Sequence, residues 1–567
     1  MVQRAPRASV HGGYRRAGAR WGARQRRHHA QSRVPAAHHR WRVRGGGGLG
    51  AGPDERISVE QATSREGIRR RPSRVPHGAV ASSFREARLG RAAGGHAVLH
   101  PGGVVRGDRA RDAEGAVIAD AWRRGTVAVV GLGKSGVAAT RLLAREGVRV
   151  YASDASDHPS GGDALTALRT LPGVTVDVGR HDLARIRSAA AVIVSPGVSP
   201  EAPPLAAARE ARVPILSEID LGFRALAASG TRCIAITGTN GKTTTTALVA
   251  HLLRVAGLHA EAAGNIGRPL ADVALQADHY QWLAVEVSSF QLHDSPHFAP
   301  AIGVVTNLAP DHLDRYPAVE AYYADKRLLF QNASDGDVWV LNGDDAAVLD
   351  LAGDARGRRV LFSLRRPADG WYDASDRRLR LGGHALLRRD ELGLLGDHNV
   401  ANALAAALAV QEAGVAPGVI GEGLRSFHAL PHRLEPVREV GGVRWINDSK
   451  ATNIASTVVA IEAMDRRFVL LLGGRHKGEP YTRLAPLLKE RCRLVIAYGE
   501  AGPQVERDLK DQVPLERGTT FEDVVARARR AARPGDAVLL SPACSSYDMF
   551  KNYEERGMTF RKLVEAM

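Results

Sequence analysis

Two strand–glycine-loop–helix units and a sharp charge boundary predict an α/β protein of several domains behind an Arg- and Gly-rich leader. The chain has 567 residues, enough for about three or four domains on the usual relation of length to domain count. Apolar residues make up 44% of it, so large buried cores can form. The formal charge is +17, yet residues 1–120 hold 24 Arg, no Lys and 9 acidic residues, which leaves only +2 for the rest. The basicity belongs to the leader, and the body carries no basic excess that would call for a nucleic acid.

The leader, 1–122, shows no sustained hydrophobic period and contains a run of four glycines at 45–48. Such a segment cannot bury enough apolar surface to order itself, so it is expected to be disordered. Two readings stand for it. One is a targeting or nucleic-acid-binding tail. The other is a non-native extension, since Arg without Lys is what GC-rich DNA gives when translated outside its proper start. Met is absent between Met1 and Met464, so an internal start would use another codon, as at Val104, Val105 or Val117. The three cysteines, Cys233, Cys492 and Cys544, have no metal-pair spacing, which fits a reducing compartment. No apolar run reaches the roughly 18 residues of a membrane span. A cytoplasmic protein without membrane insertion is expected.

The first unit starts at Thr126–Val130, an apolar, β-branched run. Gly131-Leu132-Gly133-Lys134-Ser135-Gly136 follows, then a helical stretch to Gly147 and a second strand ending at Asp154. Strand, G-x-G-x-x-G, helix, strand and acid make the Rossmann fingerprint. Its glycines let backbone approach a pyrophosphate at a helix N-terminus. NAD or another ligand with pyrophosphate and ribose, such as a UDP-sugar, would fit. A later strand, Ala191–Val194, runs into Ser195-Pro196-Gly197-Val198, a tight turn at the same sheet edge.

The second unit is the strand Cys233-Ile234-Ala235-Ile236, followed by Thr237-Gly238-Thr239-Asn240-Gly241-Lys242-Thr243-Thr244 and a helix expected from about Thr245. Small residues let successive N–H groups face phosphate oxygens. Lys242 can reach β/γ-phosphates, and the Thr243 hydroxyl can ligate Mg²⁺. Ile236 stands where the full P-loop pattern has its first glycine, so the loop is a variant. A strand through Val285 places Glu286 at its carboxyl end, and a carboxylate there suits Mg²⁺. Asp311-His312-Leu313-Asp314-Arg315-Tyr316 is a dense polar cluster after another strand end. Lys326 lies in a helical run, 322–330, where periodicity alone would leave it solvated.

Further strings sharpen this: Gly264-Asn265-Ile266-Gly267, Glu286-Val287-Ser288-Ser289-Phe290-Gln291-Leu292, Gly396-Asp397-His398-Asn399 with Asn402, and Leu430-Pro431-His432-Arg433. They continue with Asn447-Asp448-Ser449-Lys450-Ala451-Thr452-Asn453, Leu472-Gly473-Gly474, Ser541-Pro542-Ala543-Cys544-Ser545-Ser546 and Lys551-Asn552-Tyr553. Together, over about 125–567, these segments resemble the Mur ligases, ATP-dependent amide-forming enzymes of peptidoglycan synthesis. The resemblance is strongest to the branch that adds D-glutamate to UDP-N-acetylmuramoyl-L-alanine.

That resemblance implies three α/β domains: a Rossmann-like UDP-binding domain at 123–222, a central P-loop ATPase-type domain with a parallel sheet at 223–429, and a Rossmann-like glutamate-binding domain at 430–567. It implies a catalytic set of Lys242, Glu286, His312 and Lys326. ATP would meet 238–244, Asn399, Arg433 and Asp448. The UDP-substrate would meet Gly133, Lys134, Ser135, Asp154, Ser195, Pro196, Gly197, Asn265 and His312. Glutamate would meet Lys450, Thr452, Lys477, Ser546 and Tyr553. Lys326 matches the family's carbamylated lysine, whose CO₂-derived carbamate would join Thr243, Glu286 and His312 in holding two Mg²⁺ ions. Arg475 and His476 before Lys477, and Tyr553 where Phe is common, depart from the family pattern. A monomer is expected. The alternatives are another Mur ligase, a folylpolyglutamate synthase-like ligase, a catalytically silent UDP-sugar-binding protein, or an NAD-dependent oxidoreductase that would leave the second loop unexplained.

Overall fold

In the computed structural model, the described residues are 120–227, 229–276, 280–312 and 315–567. The expectations for the leader, with the start codons proposed in it, and for Leu313 and Asp314 lie outside them. Three sheets follow one another along the chain. The first is wholly parallel, in the order β3-β2-β1-β4-β5. Its strands are β1 (Thr126–Val130), β2 (Arg149–Asp154), β3 (Val174–Val178), β4 (Ala191–Val194) and β5 (Ile215–Ser217). Strands β1 and β4 are almost fully buried, as strands covered on both faces by helices must be. Their β-branched runs are what a central parallel strand needs.

The second sheet has nine strands, β14-β13-β12-β11-β10-β9-β6-β8-β7. Its parallel part is β6 (Arg232–Thr237), β7 (Ala260–Gly264), β8 (Trp282–Glu286), β9 (Ile302–Val305), β10 (Val338–Asn342) and β11 (Arg358–Ser363). A short strand, β12 (Gly370–Asp373), then leads into an antiparallel edge, β13 (Arg378–Leu381) and β14 (His384–Arg388). The sheet is therefore mixed at one edge, where tight turns replace crossover helices. The helix Asp397–Glu412 packs on this sheet and on the helix Lys242–Val255. Its alanine-rich stretch, Ala403 to Val410, is almost wholly inaccessible, because small side chains let it approach closely.

The third sheet runs β15-β16-β20-β17-β18-β19. It comprises β15 (Glu435–Val440), β16 (Val443–Asn447), β17 (Phe468–Gly473), β18 (Cys492–Tyr498), β19 (Leu515–Arg517) and β20 (Ala537–Leu540). Only β15 is antiparallel to its neighbour. All three sheets belong to one compact unit. The boundary expected at 222/223 falls inside the helix Glu218–Ala227, which leaves the first sheet and packs on the helix Leu270–Ala274 beside the second. No helix among the described residues is long and apolar enough to cross a membrane.

Candidate active site

The two glycine loops sit at the carboxyl ends of β1 and β6, where parallel sheets place their ligands. At the first, Gly131 is left-handed with φ +92°, and a Cβ on Gly136 would fall 1.8 Å from the Gly131 carbonyl oxygen. Helix and strand thus meet at a distance only glycine permits. Asp154 closes the loop: its Oδ2 accepts from Leu132 N at 2.6 Å. The Ser195 hydroxyl donates to the Gly131 carbonyl at 2.8 Å. Together these walls enclose a cavity of about 520 Å³ lined by Gly133, Lys134, Ser135, Asp154, Ser195, Pro196 and Gly197. All the first-domain residues singled out from sequence therefore meet in one place.

At the second loop the helix begins at Lys242, three residues earlier than expected. Gly241, at φ +83°, turns the backbone straight into it. Gly238, at φ +135°, has the Thr306 hydroxyl 2.0 Å from where a Cβ would stand. Lys242 Nζ donates to the carbonyls of Gly238 and Thr239 at 2.9 and 2.8 Å. Lys326 Nζ reaches the same Gly238 carbonyl at 2.8 Å. Lys326 is 1% exposed, so the solvated reading from periodicity is overturned. Its amine is driven well below the usual lysine range, first by burial and then by the neighbouring charge of Lys242. Burial also lowers Lys242, against the pull of Glu286 and Asp311.

Glu286, at the end of β8, is 2% exposed. Its Oε1 accepts from Asn265 Nδ2 at 2.9 Å, while Oε2 is buried with no hydrogen-bond partner. Lys242, Lys326, Arg433 and Lys450 all feel its charge. A buried carboxylate oxygen without a donor is costly, and a cation would satisfy it. Thr243 Oγ1 accepts from Arg433 at 3.0 Å, across 190 positions of sequence. His312, in the left-handed region at φ +55°, lies edge-to-face on Phe290 at 5.1 Å and near Tyr322 at 5.9 Å. The Tyr322 ring also lies beneath Lys326 Nζ, 4.6 Å from it. So Tyr322 contacts both His312 and Lys326, two of the expected metal ligands. Among the described residues no three His, Cys, Asp or Glu side chains converge to hold a metal. Of the expected ligand set, only Glu286 and His312 are of those types.

A cavity of about 350 Å³ opens beside this loop, lined by Asn240, Gly241, Thr244, Asn399, Arg433, Asp448 and Lys450. Asn399 and Asn402 are hydrogen-bonded at 3.0 Å. Asp448 is pushed up to about 7 by burial, although the Ser541 hydroxyl and the Leu434 N–H hold its carboxylate. Lys450, expected on the glutamate side, lines this cavity and also lies 5.1 Å from the Tyr553 ring. It stands between the two regions. Sequence reasoning gave no role to Thr306, Asn307, Asn342 or His398, which complete the wall. Asn307 Oδ1 accepts from Asn240 N at 2.9 Å, and its Nδ2 donates to Asn240 O at 3.0 Å. The available signal was position: Asn307 follows a strand end, at the edge where ligands sit.

The remaining amino-acid-side residues are more dispersed. Ser546 is buried and Lys477 exposed, on loops joined by the Arg475 N to Ser545 O hydrogen bond of 2.9 Å. Thr452 is half-buried in the turn before the helix Ile454–Glu462. The Tyr553 carbonyl accepts from the Ser449 hydroxyl at 2.8 Å.

A phosphate loop with two lysines on one carbonyl, tied through Arg433 to a third α/β sheet and preceded by a separate glycine-loop sheet, defines an enzyme that uses a nucleoside triphosphate. The comparisons with known proteins agree. The Mur ligase MurD-like N-terminal domain matches residues 125–217, the Mur ligase middle domain 236–410, and the Mur ligase glutamate ligase domain 432–544. The UDP-N-acetylmuramoylalanine–D-glutamate ligase of Salinibacter ruber is 42% identical, over 79% of this chain and 99% of its own. That of Anaeromyxobacter dehalogenans is 42% identical, over 77% and 97%. The solved UDP-N-acetylmuramate–alanine ligase of Thermotoga maritima shares the fold, with a TM-score of 0.50 and 20% identity over 78% of this chain and 99% of that one. The chain belongs to the Mur ligase family, and it is an ATP-dependent enzyme that forms amide bonds.

Proposed function

We propose that this chain joins D-glutamate to UDP-N-acetylmuramoyl-L-alanine, with ATP converting the alanyl carboxylate to an acyl phosphate, in cytoplasmic peptidoglycan precursor synthesis. The observation that carries this reading is the meeting of Lys242, Lys326 and Glu286 around one phosphate loop, in a chain 40–42% identical to D-glutamate ligases over 78–79% of its length. A carboxylate oxygen of the UDP-substrate attacks the γ-phosphorus of ATP, and ADP leaves. The glutamate amine then attacks the acyl carbon, phosphate leaves, and the amine gives up a proton. Both steps bring anions together, so positioning and charge neutralisation do most of the work.

An ammonium has three donors. Lys242 uses two on Gly238 and Thr239, which leaves one for a phosphate oxygen. The cavity at 131–136 would hold the UDP end, and Asn399, Arg433 and Asp448 would hold the adenosine end. Lys450, Thr452, Lys477, Ser546 and Tyr553 would receive glutamate. The orphaned Glu286 oxygen and the Thr243 hydroxyl fit Mg²⁺, provided Arg433 yields the hydroxyl. His312 and Lys326 would serve a second ion. Bound Mg²⁺ offsets charge on phosphate and carboxylate oxygens. Burial disfavours the charged form of the Lys326 amine; the neutral amine is the form that adds CO₂, and the carbamate would supply an anionic oxygen. We take the working unit to be the monomer.

The test is the product. Incubation with ATP, Mg²⁺, D-glutamate and UDP-N-acetylmuramoyl-L-alanine should yield one glutamyl adduct per phosphate released, read by mass spectrometry. Phosphate release without an adduct would defeat the reading.

A further inference from the structure

Resting on the glutamate-site reading above, we infer that Tyr481 is a positioning residue, whose phenol sets the spacing between the loop carrying Lys477 and the loop carrying Ser546 and so tunes affinity for the incoming amino acid. The two loops approach at Gly474, which has φ +134°, and a Cβ there would lie 2.3 Å from the Ser545 carbonyl oxygen. Backbone joins them at Arg475 N to Ser545 O, 2.9 Å, and at their base by Gly473 N to Pro542 O, 3.1 Å. A further junction is made by side chains. The Tyr481 hydroxyl lies 2.8 Å from Cys544 Sγ and 3.1 Å from His476 Nδ1. His476 immediately precedes Lys477, and Cys544 stands two residues before Ser546. One phenol therefore bridges both loops next to the residues assigned to the amino acid.

The bridge is buried where it matters. Tyr481 is 1% exposed and Cys544 is inaccessible. Burial lifts the Cys544 thiol to about 11 and the Tyr481 phenol well above its ordinary range, so both keep their protons at neutral pH. The hydroxyl has one proton and can also accept. It can donate to His476 while the thiol donates to it, or donate to sulfur while the ring N–H donates to it. Either direction holds the loops at a fixed separation. The Tyr481 backbone N–H is itself anchored on Asp508 at 2.9 Å, so the phenol is aimed from a fixed base. The third domain thus has, besides its backbone bridges, a side-chain strut that no contact with substrate is needed to explain.

The experiment is steady-state kinetics of the full chain with each substrate varied in turn. Loss of one buried hydrogen bond shifts an equilibrium by about five- to tenfold. Tyr481→Phe should therefore raise KM for D-glutamate about five- to tenfold. Its kcat, and KM for ATP and the UDP-substrate, should stay within about twofold, the span of ordinary surface changes. Cys544→Ala should do the same, and Cys544→Ser, which keeps a hydrogen-bonding atom, should restore KM towards the starting value. The double variant should be no worse than the worse single, as expected of one shared interaction. If Tyr481→Phe fails to fold, the Cys544 pair decides alone. An unchanged KM for D-glutamate in the folded variants, or a rise in all three KM values together, would overturn the inference. Lys477→Ala separates the two readings. If it too leaves KM for D-glutamate unchanged, the assigned pocket itself is wrong; if it raises KM while Tyr481→Phe does not, only the strut falls.

Discussion

The two glycine loops share a backbone plan and differ in charge. Both follow a buried parallel strand, and both carry a left-handed glycine, Gly131 directly after its strand and Gly241 at the start of its helix. At the first, an acid, Asp154, is bonded to the loop at Leu132 N, with Lys134 in the wall. At the second, buried Lys326 and half-buried Lys242 meet on the Gly238 carbonyl and Arg433 reaches Thr243. Backbone N–H groups and a helix N-terminus can hold a diphosphate unaided. Driving reaction between a triphosphate and a carboxylate needs positive charge that water does not screen, which Lys242 and Arg433 would supply. On the proposed reading the first loop would grip and the second would react.

That contrast breaks most sharply at Lys242. Lys242→Ala should lower phosphate release by about a thousandfold or more, the scale of removing a charge-stabilising group from a closed site. Binding of the UDP-substrate, measured by calorimetry, should survive. Loss of both would mean that the loops are not separate in function. Lys326→Ala should lose most activity, and added bicarbonate should not restore it, since the nucleophilic amine is gone. Full activity in that variant removes the carbamate. At the first loop, Asp154→Ala leaves Leu132 N–H without its acceptor, and KM for the UDP-substrate should rise about tenfold. KM for ATP should not move.

A smaller effect concerns the helix joining the two regions. Glu218 is raised to about 7 by burial, although Ala271 N–H holds its Oε1, and its Oε2 has no partner. Below the ordinary glutamate value, 4.5, the group is protonated in both folded and unfolded chains. As pH rises, the unfolded chain loses the proton first, so stability falls until the folded pKa is passed. The shift corresponds to about 3 kcal/mol. Glu218→Gln should flatten the melting-temperature profile between pH 4.5 and 7 and raise the melting temperature above pH 7. An unchanged profile would show that Glu218 ionises normally in the folded chain.

The strands and both loops were legible because a buried parallel strand reads as an apolar, β-branched run ending in small residues. Position in sequence then placed Gly133, Asp154, Ser195 and Gly197 at one edge, and the cavity there contains them all. Lys326 was not legible. It contacts the Gly238 carbonyl and the Tyr322 ring, 88 and 4 positions away; helical periodicity places Tyr322 on its face but carries nothing of Gly238. Only the family resemblance marked it. Asn307 and Asn342 were missed because a lone asparagine after a strand is a common turn residue. The tie between Arg433 and Thr243 joins the third layer to the second and has no local signature. The antiparallel edge at β13 and β14 was also unread; the sequence reading went no further than a parallel sheet for the central domain.

The central claim is that the second loop spends ATP to attach D-glutamate. Phosphate release should be followed with UDP-N-acetylmuramoyl-L-alanine present, adding D-glutamate and L-glutamate in separate reactions. Sustained release with D-glutamate and little above background with L-glutamate is the predicted result. Equal release with both, or release independent of the UDP-substrate, would contradict the account.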